Sequence, residues 1–175
     1  DNVAVGYQAA DAVTTGARNI AVGATALGAA TTGVDNVAIG YQAMDGAVAG
    51  ADQNIAIGSN ALGASLTDDA HDNVAVGFQA ADAITSGLQN VAIGTDALGA
   101  ATADTRNIAI GYNAMLASDG ADDNVAIGAR ALDGNNDGNQ NVAIGTDALG
   151  AAAMSGDDCT AVGFEALTAN TAAGS

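Results

Sequence analysis

Short runs in which β-branched residues alternate with alanine, each closed by glycine, recur along the whole chain: Val3-Ala4-Val5-Gly6, Ile20-Ala21-Val22-Gly23, Val37-Ala38-Ile39-Gly40 and onward. Alternation at every second residue is the period of a strand, and β-branched side chains suit a pleated surface. Asparagine opens nine of the ten runs, and both Asn and Gly favour turns over strand interiors. A second short run, such as Tyr7-Gln8-Ala9-Ala10, follows each glycine and leads into a variable loop. Each unit therefore reads as strand, glycine corner, short strand and loop.

These units form a tandem array. The five-residue motif begins at positions 2, 19, 36, 54, 73, 90, 107, 124 and 141, with a degraded tenth copy at Cys159-Thr160-Ala161-Val162-Gly163. Successive steps are 17 to 19 residues and nothing lies outside the array, so residues 1–175 are one repetitive domain. A hairpin meander would not stack like residues. A parallel β-solenoid of about ten coils does, placing equivalent side chains about 4.8 Å apart along one axis.

Several columns make physical sense under that stacking. Asn2, Asn19, Asn36, Asn54, Asn73, Asn90, Asn107, Asn124 and Asn141 line up as an amide ladder bonding the coils above and below. The preceding column runs Asp1, Arg18, Asp35, Gln53, Asp72, Gln89, Arg106, Asp123, Gln140, Asp158, with no two acids adjacent. That order avoids the repulsion between like charges at strand spacing. Val3, Val5 and their copies are expected to point inward. The opposite face then carries Ala4, Ala21, Ala38, Ala56, Ala75, Ala92, Ala109, Ala126, Ala143 and Ala161, a small apolar strip suited to close approach by another chain. Closed symmetry around such a strip is satisfied by a homotrimer. Aromatics after the glycine (Tyr7, Tyr41, Phe78, Tyr112) pair with Ala10, Met44, Ala81 and Met115, whereas Ala, Ser or Thr there pairs with Leu. Only Phe164 with Leu167 departs from this trade, which places both positions in one packing layer and the rings in the core rather than in a carbohydrate-stacking stripe.

Composition narrows the function. There is no Lys, only three Arg, and a formal charge of -17, which excludes nucleic-acid binding and disfavours anionic membranes. No apolar run is long enough for a transmembrane helix, so this segment is not expected to insert in a membrane. One His and one Cys leave catalytic chemistry short of parts, so no enzyme is expected. Cys159 reads as a small residue filling a ladder position. The turn Asp133-Gly134-Asn135-Asn136-Asp137-Gly138 resembles half a calcium loop, making Asp133, Asn135 and Asp137 the candidate metal ligands and calcium the one candidate ion. Ile144 stands where an EF-hand needs a bidentate Glu, which excludes that motif, and loops of this composition are common turn chemistry. The acidic group Asp68-Asp69-Ala70-His71-Asp72 reads as a solvated loop.

The repeat Asn36-Val37-Ala38-Ile39-Gly40-Tyr41-Gln42-Ala43-Met44 resembles the head repeats of trimeric autotransporter adhesins of the YadA-like head family, and equally the Asn-x-Ala-Ile-Gly-Tyr-Gln-Ala-Leu arrays of bacteriophage tail fibres. The resemblance covers the whole chain. It implies a left-handed parallel β-roll in a side-by-side homotrimer, although adhesin repeats are shorter than the units here. The function so implied is a structural or adhesive fibre module, a segment of a longer fibre, extracellular at a cell surface or on a virion. It would present loops to a host-cell or surface receptor, carbohydrate included. The alternatives are an extracellular filament protein stacking end to end, or an ice-binding or calcium-dependent solenoid. The pairs Thr14-Thr15 and Thr31-Thr32 raise the ice-binding reading, but their column runs on through Val48-Ala49, Leu66-Thr67 and Thr85-Ser86 and then lapses, whereas an ice-binding face should be uniform.

Overall fold

The structure is a computed structural model and describes residues 1–47, 50–67, 70–150 and 156–168. It is an all-β parallel solenoid of about nine turns, with ten three-residue strands: β1 (Val3–Val5), β2 (Ile20–Val22), β3 (Val37–Ile39), β4 (Ile55–Ile57), β5 (Val74–Val76), β6 (Val91–Ile93), β7 (Ile108–Ile110), β8 (Val125–Ile127), β9 (Val142–Ile144) and β10 (Thr160–Val162). The strands make one sheet in chain order, every pair parallel. Register is exact in kind: Val3 lies beside Ile20, Ala4 beside Ala21 and Val5 beside Val22, and each later pair repeats the match. Equivalent residues therefore do stack. No helix occurs among the described residues, so none crosses a membrane.

The expected inside and outside of the strands are reversed. Ala21, Ala38, Ala56, Ala75, Ala92, Ala109, Ala126 and Ala143 are 0% exposed and Ala161 nearly so; only Ala4, on the end strand, is open. The alanine column is interior and unavailable as an inter-chain strip. Val and Ile face outward instead, eleven of them between 36% and 67% exposed and the rest half-buried. The reason is the width of the coil. A turn of some seventeen residues encloses little volume, and a close-packed interior tolerates neither voids nor excess methylenes. Leu27, Met44, Leu62, Leu98, Met115, Leu132 and Leu149 occupy the same continuous core as the alanines, whose methyl groups complement those larger side chains.

The second run is not a strand. Residues after the glycine form a tight turn in which Ala9 N–H reaches Gly6 O at 3.4 Å, while inter-coil bonds continue on either side. Thr25 N–H donates back to Tyr7 O, and Leu27 N–H donates onward to Ala43 O. Left-handed residues recur at three places per turn, as at Gln8, Ala10 and Arg18 with φ between 51° and 60°. Each non-glycine residue in that region costs roughly 1 kcal/mol, a strain the stacking must outweigh. The motif glycine is a sterner case. Gly94 has φ 134°, and a Cβ there would lie 2.5 Å from the carbonyl oxygen of Gly111 on the next coil.

The proposed sharing of a layer between the aromatics and the Leu, Met or Ala three residues on also fails. Met44 and Ala81 are buried, whereas Tyr41 and Phe78 lie outside. What correlates them is a repeat two coils long: Tyr7-Gln8-Ala9-Ala10-Asp11, Tyr41-Gln42-Ala43-Met44-Asp45 and Phe78-Gln79-Ala80-Ala81-Asp82 alternate with Ala24-Thr25-Ala26-Leu27-Gly28, Ser59-Asn60-Ala61-Leu62-Gly63 and Thr95-Asp96-Ala97-Leu98-Gly99.

Candidate functional site: an uncharged outer face and its flanking ladders

Alternation within the strands puts Val3 and Val5 on the same outer side, so the sheet presents two outward columns of Val and Ile, with Thr160 as the single exception. Past the glycine corner a third column follows, in which ring and small residue alternate from Tyr7 to Ala129 before Thr146 and Phe164. Tyr7, Tyr41, Phe78, Tyr112 and Phe164 are 49% to 74% exposed. None of these columns contains a charged residue, in a chain with 23 of them (three Arg and twenty acids). All the charge lies elsewhere on the coil.

The Asn ladder forms, largely between side chain and backbone. Every one of the nine, Asn2 to Asn141, donates from its carboxamide to a loop carbonyl at 2.6–3.0 Å: Asn2 to Gly16, Asn73 to Gly87, Asn141 to Gly156. Each Oδ1 accepts the backbone N–H of the next rung at 2.8–3.0 Å, ending with Cys159 N–H on Asn141. Direct amide contacts add to these at Asn36, Asn73, Asn90, Asn107 and Asn124. Cys159 therefore continues the file through its backbone.

In the neighbouring column Arg18 grips Asp35 with two bonds of 2.6 Å, and Arg106 grips Asp123 at 2.6 and 2.8 Å. Arg130 pairs with Asp147 in the same way from a column the sequence reading did not single out. Hydrogen bonding from arginine holds all three carboxyls below their ordinary range. A further ladder was missed: two residues before the Asn position, Asp52, Asp122, Asn139 and Asp157 each accept a backbone N–H from the preceding coil. Its signal was present as the recurrence of Asp or Asn at that offset.

Asp133, Asn135 and Asp137 are not arranged alike. Asn135 is buried and its carboxamide is committed to Gly138, donating to its carbonyl at 2.8 Å and accepting its N–H at 3.1 Å. Asp133 is raised above its ordinary range by burial, with Arg130 opposing, and Asp137 is exposed. No group of three or more His, Cys, Asp or Glu side chains suited to a metal occurs among the described residues. His71 Nδ1 lies 2.9 Å from Asp72; Asp68 and Asp69 fall outside the described residues. Thr14, Thr67 and Thr85 hydroxyls bond carbonyls of the next coil, so they serve the stack. Asp104, fully buried, accepts the Ser118 hydroxyl and the N–H groups of Gly120 and Ala121, and burial pushes its carboxyl up.

An open cleft of about 270 Å³ lies beside the first ring positions, lined by Gln8, Asp11, Thr25, Gly28, Ala29 and Asp45. No family model, curated protein or solved structure matches the chain.

Proposed function

We propose that this chain is a structural and adhesive fibre module: a stiff β-solenoid that associates side by side with copies of itself, as a homotrimer of left-handed β-rolls, and presents its loops at a cell surface or on a virion. The observation that carries this reading is the uncharged Val/Ile face running the length of the sheet. Nineteen Val and Ile side chains offer on the order of 1,000 Å² of apolar surface, more than the ~800 Å² each partner gives to a stable interface. A chain carrying -17 repels its copies everywhere except where charge is absent, which selects this face for contact. The homotrimer, rather than another closed assembly, follows from the repeat resemblance. Loops that vary in length from coil to coil sit on the remaining walls, where attachment contacts can diversify without disturbing the stack.

Sedimentation equilibrium tests the association. The expected result is a trimer for the native chain and a folded monomer for Ile57→Glu/Ile93→Glu, since both side chains point outward. A native chain that sediments as a monomer rejects the reading.

A further inference from the structure

The aromatic column invites a ligand of its own. Rings at Tyr7, Tyr41, Phe78 and Tyr112 stand two coils apart, about 9.6 Å at strand spacing, with Ala24, Ser59 and Thr95 leaving the intervening positions low. Each of the first three rings is followed by Gln and then, three residues later, by Asp: Gln42 donates to Asp45 at 3.3 Å and Gln79 to Asp82 at 3.4 Å. The cleft lined by Gln8, Asp11, Thr25, Gly28, Ala29 and Asp45 belongs to the same first three coils. Tyr112 keeps its ring but loses the acid to Leu116, and Asn113 Oδ1 is left buried without a partner. Ring, amide and carboxylate thus recur as a set with a two-coil period.

We propose that this column binds a neutral, extended β-1,4-linked polysaccharide lying along the solenoid axis, its sugar rings stacked on Tyr7, Tyr41, Phe78 and Tyr112. This rests on the surface-attachment reading above and names its ligand. An extended β-1,4 chain turns the same face outward at every second sugar, a repeat close to that of the rings. Flat aromatic faces suit the C–H faces of pyranoses, and the flanking amides and carboxylates suit their hydroxyls. Charge sets the class. With -17 on the chain and no charge in the ring column, anionic polysaccharides are repelled and neutral ones are not.

The test is co-sedimentation of the full chain with microcrystalline cellulose and with chitin, using alginate beads as the anionic control. Retention on cellulose, chitin or both is expected, the two arms separating plain hydroxyl from N-acetyl recognition; none is expected on alginate. Tyr7→Ser/Tyr41→Ser/Phe78→Ser/Tyr112→Ser should lose at least tenfold in retention with unchanged circular dichroism and unfolding midpoint, because the rings are exposed. A second variant, Tyr41→Ser/Ser59→Tyr, keeps the number of rings but moves one by a coil, and should also bind more weakly. Failure of the native chain to bind either neutral polymer, or equal binding by the shifted variant, overturns the proposal. Sedimentation equilibrium on the same samples reports self-association separately, so a loss of one property is not mistaken for loss of the other.

Discussion

At the scale of single residues, the most consequential side chains are those whose two ends serve different coils. Asn90 donates to the Asp104 carbonyl at 2.6 Å and accepts the N–H of Asn107 at 3.0 Å. Asn90→Ala strands both backbone groups in the interior, at ~1–3 kcal/mol each. A loss of roughly 2–5 kcal/mol is expected in denaturant unfolding, with the slope unchanged. Gly94→Ala should cost at least as much, because backbone of the next coil cannot yield; Gln89→Gly, at φ 59°, should be neutral or mildly stabilising. Titration separates two sets of acids. Asp35, Asp123 and Asp147 are lowered, so their contribution is present above the ordinary carboxylate range and is lost as pH falls through their lowered values. Asp82 and Asp104 are raised by burial, so theirs is present at low pH and lost as pH rises through the raised values. Asp104→Asn can still accept Gly120 and Ala121 N–H while donating to Ser118. Its stability relative to the native chain should therefore climb as pH rises above the ordinary carboxylate range and through the raised value of Asp104; a flat difference would rule out an energetic role for that burial.

At the scale of the element, sequence and structure agree on what stacks and disagree on what faces in. The repeated Val-Ala-Ile pattern fixes strand, register and which residues share a face, because a two-residue period leaves no other arrangement. It cannot say which face is interior. Size usually decides that, and here it misleads, since the narrow turn rewards Ala92 inside over Ile93. The same misassignment put the rings in the core: the trade between Tyr41 and Met44 was legible, but its two-coil origin was not, because identical spacing arises from one layer or from alternating coils. The glycine corner was anticipated from sequence, while the left-handed turn after it was not, as Gln, Leu and Met carry no preference for that conformation. A pair of substitutions measures the inversion directly. Ala92→Leu overfills a closed interior and should destabilise by about 1–3 kcal/mol or more, while Ile93→Ala, half in solvent, should lose less than about 1 kcal/mol in the monomer. The opposite ranking in thermal or chemical melts would restore the original assignment.

At the scale of the whole molecule, the stack behaves as a one-dimensional object in which each turn touches only its neighbours. Removing residues 90–106, one repeat, should leave a folded, slightly less stable solenoid, readable by circular dichroism. It would also set the Phe78 and Tyr112 rings on adjacent coils. Removing residues 73–106 takes out one full two-coil unit and should preserve the alternation. Polysaccharide retention should therefore drop for the first deletion more than for the second, although the second removes twice as many residues and one ring. The net charge acts at this scale too. Association through the uncharged face works against long-range repulsion, so added salt should tighten it by screening, the reverse of what an interface held by ion pairs would show.

Because every rung offers the next an identical set of partners, any two turns are nearly interchangeable docking targets for a chain still searching for its native threading. A polypeptide emerging from the ribosome meets no such ambiguity, since each newly made turn finds only its predecessor complete. Released all at once from denaturant, ten near-equivalent segments compete, and mis-threaded intermediates should accumulate. Slow, low-yield refolding beside efficient folding during synthesis is thus the kinetic counterpart of the asparagine file.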